Sequence, residues 1–134
     1  MGGGPLKLLL DTHIWIWSQV SPKRLIKRVR RSLENTRNEV WLSPISIWEL
    51  TLLVEKHLMV LDCSVAEWVA KAASPLKEAP LTAEIVLEAG RFSLPHRDPA
   101  DRFLVATARS LGLTLVTADS RLLASKSVSV LPNR

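Results

Sequence analysis

A single cysteine, Cys63, stands among the 134 residues, so no disulfide can form within the chain. A reducing compartment, the cytoplasm, is the expected home. Long apolar runs are also lacking. The first one, residues 6–10, is far too short for a signal peptide or a membrane span, and Asp11 interrupts it. No Cys/His spacing suggests a zinc site. Neither repeats, low-complexity tracts nor interdomain linkers divide the chain, so residues 6–134 read as one domain. Residues 1–5, MGGGP, are set aside as a flexible lead-in or a remnant of cloning. A hydrophobic content of 47% with 23% charged residues is that of an ordinary globular chain with enough apolar surface for a real core.

The net charge of +5 is unevenly placed. Residues 22–37, PKRLIKRVRRSLENTR, carry seven basic residues and one acid. Such a stripe can follow a phosphate backbone. It can equally be the solvated face of a helix, because Leu25, Ile26, Val29 and Leu33 supply an apolar side at helical spacing.

Residues 6–10 read as a strand buried on both faces, as in a covered parallel sheet. Ser21-Pro22 gives a cap followed by proline and opens the basic helix. Residues 39–42 (EVWL) form a second strand, and Ser43-Pro44 repeats the cap signal ahead of ISIWELTLLVEKHL. Ser64 and Glu67 have capping-box spacing, and Thr82 caps a further helix. Residues 98–112 carry cap, proline and terminal glycine. Residues 114–117 (TLVT) are a strand, and 128–131 a last edge strand. Strands alternating with helices imply an α/β, three-layer α/β/α fold with a mostly parallel central sheet.

In such sheets ligands collect beyond the carboxyl ends of the strands. Asp11 directly follows the first strand and Asp119 closely follows TLVT. Each could simply cap a turn, Asp11 the one beginning at His13. Glu49 is harder to dismiss, since Ile45, Leu52 and Leu53 put it on the apolar stripe of its helix. Asp98 is the natural N-cap of its helix, and Asp101 in the first turn suits the helix dipole yet projects beside strand ends. His96 and Arg97, just before, could reach an anionic substrate or stay solvated. Two like charges about 4 Å apart repel by roughly 4 kcal/mol at an effective dielectric near 20. A cluster of Asp11, Glu49, Asp101 and Asp119 therefore calls for protons or a cation. Oxygen-only ligation suits Mg²⁺ or Mn²⁺, and a hard cation beside a basic helix points to phosphodiester hydrolysis by activated water.

LLLDTHIWIW, LSPISIWEL, LPHRDPADRFLVATARSLG and LTLVTADSRLL, in that order, resemble the PIN domain, specifically the VapC-type ribonuclease toxins of toxin–antitoxin pairs. The resemblance covers nearly the whole chain after the glycines. It implies a PIN-like fold and Mg²⁺- or Mn²⁺-dependent endoribonuclease action that leaves a 5′-phosphate and a 3′-hydroxyl. Asp11, Glu49, Asp101 and Asp119 match the family's acidic metal-binding positions, Asp119 being the position that varies most. Thr12 and Thr117 match nearby hydroxyl positions, and Ser46 lies one helical turn before Glu49. An RNA substrate, a cognate antitoxin whose C-terminal segment covers the crevice, and a homodimer are implied as partners, and no membrane. Arg28, Arg30, Arg31 and Arg97 become the RNA-facing candidates.

Two other Mg²⁺-using folds fit less well. A phosphoreceiver domain needs an acid pair after the first strand and a lysine after a late one, but Thr12 follows Asp11 and no lysine follows TLVT before Lys126. A haloacid-dehalogenase-type phosphatase needs aspartate where His13 stands. The rival from another class is a catalytically inactive PIN-fold module that binds RNA or acts as a scaffold, and the full set of acids argues against it. Trp15, Trp17, Trp41, Trp48 and Trp68 lie among aliphatic residues and are read as core or dimer packing rather than base-stacking groups.

Overall fold

Three successive leucines, Leu8, Leu9 and Leu10, are almost wholly excluded from solvent. Successive strand side chains point to opposite faces. An unbroken apolar run is therefore what a sheet covered on both sides demands. In the computed structural model, which describes residues 4–91, 98–124 and 127–134, that demand is met. Leu8 and Leu10 pack with Ile14, Trp15, Leu50 and Val116 on one face. Leu9 packs with Leu104, Val105 and Leu115 on the other. Each such burial is worth about 1.5–3 kcal/mol relative to exposure.

The strands are β1 (Lys7–Leu10), β2 (Glu39–Leu42), β3 (Lys77–Glu78), β4 (Thr114–Thr117) and β5 (Val130–Pro132). They form one sheet of order β3-β2-β1-β4-β5, with every pairing parallel. The α/β class and the parallel sheet are as the sequence implies. β3 is an addition: at two residues it carries no periodicity to read. β5 begins two residues later than expected and ends on Pro132, which an edge strand tolerates.

The helices are α1 (Thr12–Val20), α2 (Lys27–Glu34), α3 (Pro44–Glu55), α4 (Val65–Ala72), α5 (Ala83–Ala89), α6 (Pro99–Leu111) and α7 (Ser120–Leu123). Side chains of α1, α2 and α4 supply one core, and those of α5, α6 and α7 the other. Helix α3 serves both, through Leu50 and Ile45.

Most starts follow the expected chemistry. Ser43 accepts from the Ile45 amide at 3.1 Å, Ser64 accepts from the Glu67 amide and donates its hydroxyl to the Glu67 carboxylate, both at 3.1 Å, and Thr82 accepts from Ile85 at 3.2 Å. Gly112 ends α6 at φ +66°, a left-handed conformation that favours glycine.

Two expectations are corrected. Ser21-Pro22 opens only a 3₁₀ turn, Pro22–Arg24, in which Ser21 makes no side-chain cap bond. The basic helix α2 starts at Lys27, after Leu25 and Ile26 have turned into the core. What was expected to be a turn after Asp11 is the nine-residue helix α1. Residues 1–3 of the lead-in, together with His96 and Arg97, lie outside the described residues; Gly4 and Pro5 are exposed.

Candidate active site

After β1 the chain builds β2 and β3 on one side, then returns to place β4 on the other. The winding reverses between β1 and β4, where a crevice opens beyond the strand ends. Asp11 stands there directly after β1, with its amide donating to the Val116 carbonyl of β4 at 3.0 Å. Its carboxylate accepts from the Thr12 amide at 2.8 Å and from the Thr117 hydroxyl at 2.6 Å. Burial pushes its pKa above the ordinary value of 3.8. The Thr117 bond, His13 and the Thr12 amide pull it back, and the charge of Asp119 raises it further. Asp11 is thus both the N-cap of α1 and a carboxylate held at the crevice.

Glu49 reaches the same crevice from α3. Burial is again the largest influence raising its pKa, opposed by a hydrogen bond from Thr12 and reinforced by the charges of Asp98 and Asp11. Behind it lies a buried relay. Thr12 Oγ1 is 2.8 Å from Ser46 Oγ and also bonds Glu49 Oε1. A threonine hydroxyl has one proton and a carboxylate only accepts, so Ser46 donates to Thr12 and Thr12 donates to Glu49. Thr12→Val removes the middle member and strands a buried serine hydroxyl. A loss of about 1–3 kcal/mol is expected, and thermal denaturation of the variant checks it.

Helix α6 brings two more acids. Asp98 caps it, accepting from Ala100 at 3.0 Å, and Asp101 in its first turn is only 5% exposed. Asp119 caps α7 and accepts from the Arg121 amide at 2.9 Å. The Arg121 guanidinium adds bonds of 3.1 and 3.0 Å to the same carboxylate. That pairing holds Arg121 firmly protonated, with Asp101 and Asp98 adding to the effect.

Asp11, Glu49, Asp98, Asp101 and Asp119 line one pocket of about 330 Å³, together with His13, Trp17, Ala118 and Arg121. Thr12, Ser46 and Thr117 stand behind these carboxylates as donors, almost fully buried. Among the described residues, no three His, Cys, Asp or Glu side chains close on a single point as a ready-made metal cluster. Asp11, Glu49, Asp98 and Asp119 are each turned instead to a donor of their own. The donor chemistry still suits a hard divalent cation, for which carboxylates, hydroxyls and retained waters are the natural ligands.

The structure leaves Arg28, Arg30 and Arg31 elsewhere. They are exposed on α2 and are not among the described residues that line the pocket. His13, Trp17 and Arg121 do line it and were missed as site residues. Recognising α1 as a helix would have found the first two, since His13 and Trp17 lie one turn apart on it.

Because Asp11 binds its proton more tightly folded than unfolded, its contribution to stability is full below the ordinary 3.8 and is lost as pH rises through the raised value. Asp11→Asn cannot lose that contribution. In EDTA, the melting temperature of the variant relative to the parent is expected to climb as pH rises from about 4 through the raised value. A flat difference would contradict the buried carboxylate.

A family model for the PIN domain matches residues 8–126. The chain belongs to the PIN-domain family. Among curated PIN relatives, Ribonuclease VapC22 of Mycobacterium tuberculosis (strain ATCC 25618 / H37Rv) is 33% identical over 118 residues, which span 86% of this chain and 88% of that protein. Solved structures share the fold. VapBC2 from Rickettsia felis, bound to a DNA fragment from their promoter, superposes with a TM-score of 0.73 at 17% identity, over 95% of this chain and 98% of that one. DNA-bound VapBC from Salmonella typhimurium gives 0.67 at 20% identity, with the same two coverages.

Proposed function

We propose that this PIN-domain protein is a divalent-metal-dependent endoribonuclease, the toxin of a toxin–antitoxin pair. The observation that carries the proposal is the gathering of Asp11, Glu49, Asp101 and Asp119 around one pocket at the β1/β4 reversal. The 33% identity to a protein named Ribonuclease VapC22 supports the same reading.

Asp11, Glu49, Asp101 and Asp119 would hold Mg²⁺ or Mn²⁺. Such an ion supplies a water of lowered pKa and offsets charge on the scissile phosphate. The chain's own part is to hold the carboxylates in place. Thr117 and the Thr12 amide orient Asp11, and the Ser46–Thr12 relay orients Glu49. Arg121, at the pocket wall and half-exposed, supplies a guanidinium that can turn from Asp119 to a substrate phosphate.

The antitoxin reading finds support in a groove of about 300 Å³ that shares Thr12, His13, Glu49 and Asp98 with the site and continues over Trp48, Leu52, Leu53 and Leu58. A segment with apolar and basic side chains would cover both parts. The exposed Val86 and Leu87 of α5 suit a homodimer contact. No described helix is long and apolar enough to cross a membrane, and the lone free Cys63 suits the cytoplasm.

The proposal is tested with total RNA and defined tRNAs incubated in Mg²⁺, Mn²⁺ or EDTA. Discrete cleavage with metal, leaving 5′-phosphate and 3′-hydroxyl ends, is the expected result. Cleavage unchanged in EDTA would overturn the metal mechanism. RNA binding without turnover in any metal would favour the inactive module.

A further inference from the structure

We infer that Trp17, flanked by His13 and Arg24, receives an unpaired base of the RNA beside the bond to be cut, an inference that rests on the ribonuclease reading above. Trp17 is half-buried and forms part of the wall of the acidic pocket. Carboxylate chemistry gives no reason for a large indole at that wall. The Arg24 guanidinium lies 5.1 Å from the centre of the Trp17 ring. The His13 ring lies 5.9 Å from it, tilted by 58°. Imidazole, indole and guanidinium thus form one ledge at the pocket wall, with the guanidinium over the indole ring and the imidazole tilted against it.

The ledge ends where the positive charge begins. Lys23 and Arg24 close the 3₁₀ turn, both exposed. The acids of the pocket repel an approaching polyanion. Without metal, a strand is therefore held by cations at the rim and wall, Arg121 among them, and by uncharged contacts inside. A flat aromatic surface supplies the second kind, because every base has a π-face, and Arg24 supplies the first. In a duplex the bases are stacked on one another, so the ledge takes single-stranded RNA or a loop.

The other tryptophans are placed differently. Trp15 is fully buried, and Trp48, though 54% exposed, lines the apolar groove rather than the acidic pocket. Trp17 also packs against the core, as the sequence expectation for all five has it, but it alone of the five lines the acidic pocket.

The test is fluorescence anisotropy in EDTA with a labelled single-stranded RNA of about ten nucleotides, and with copies in which each base in turn is replaced by an abasic sugar. For the parent protein, one abasic position is expected to weaken binding about tenfold. Trp17→Ala should weaken binding of the intact RNA by a similar factor and lose sensitivity at that position, whereas Trp17→Phe retains both. Arg24→Gln should lower the slope of log affinity against log salt by about 0.7, the value for one phosphate on a single strand. A parent indifferent to every abasic position, or a folded Trp17→Ala that binds and discriminates as the parent does, would overturn the ledge. If that parent still cleaves RNA with metal, only the ledge falls; if it neither binds nor cleaves RNA, the ribonuclease reading falls with it.

Discussion

Asp11→Asn is expected to lower metal-dependent RNA cleavage by more than about a hundredfold while the protein stays folded. Asparagine caps a helix about as well as aspartate and fills the same space between Thr12 and Thr117. It cannot carry the charge that makes this position useful to a cation. The Thr117 hydroxyl, which donates to Asp11 at 2.6 Å, must turn to accept from the new amide, a change of about 1 kcal/mol. Against this stands the removal of a carboxyl whose ionisation burial disfavours. The two act in opposite directions, so activity and stability part company. Cleavage rates and melting curves on one preparation check the result. A variant that unfolds would make Asp11 a structural cap first, and one that cleaves normally would remove it from the site.

Trp15→Ala should cost about 3–5 kcal/mol of stability. Trp15 is fully buried, donates from Nε1 to the Ala72 carbonyl at 3.0 Å, and meets Trp68 edge-on with ring centres 5.3 Å apart. It anchors α1 against α4. Native domains have only about 5–15 kcal/mol to lose, so the variant is expected to unfold at much lower urea. Because α1 carries Thr12, His13 and Trp17 and is capped by Asp11, loosening it disturbs the pocket as well. Trp15→Phe separates the two contributions. It keeps an aromatic contact with Trp68 but leaves the Ala72 carbonyl without its donor, for about 1–3 kcal/mol. Urea denaturation followed by circular dichroism measures both.

These two residues also show what a reader of the sequence can and cannot see. Strands β1 and β4 were legible because burial on both faces favours consecutive apolar residues, LLL in the first and the central LV of TLVT in the second, whereas the two-residue β3 was not. Caps at Ser43, Ser64, Thr82 and Asp98 were legible because each side chain answers a local need of the backbone beside it. Helix α1 was not. Its apolar residues run consecutively from Ile14 to Trp17 instead of recurring at helical spacing, so nothing distinguishes them from a continued strand. The basic segment misled in the opposite direction, since Leu25 and Ile26 turn inward and delay the helix by a turn.

Asp11, Asp98, Asp101 and Asp119 were readable as candidates because strand ends and helix starts are places the sequence marks, and Glu49 because it interrupts the apolar stripe of its helix. Their hydroxyl donors were not derivable from spacing, as the Ser46–Thr12–Glu49 relay joins residues 34 and 37 positions apart. Trp17 and Arg121 reach the pocket only through the phase of α1 and the turn after β4. Arg28, Arg30 and Arg31 show the converse: positive charge is plain in a sequence, but its distance from a crevice is not.

If the four acids form one cation site, a Mn²⁺ titration of the RNA-free protein detects it directly. Mn²⁺ affinity would be measured calorimetrically for the parent, Asp101→Asn, Glu49→Gln and, as a control, Glu55→Gln at the exposed end of α3. The expected result is saturable binding by the parent and by Glu55→Gln, weakened about tenfold or more by each of the other two changes. Equal affinity in all four proteins, or no saturable binding by a folded parent, would contradict it.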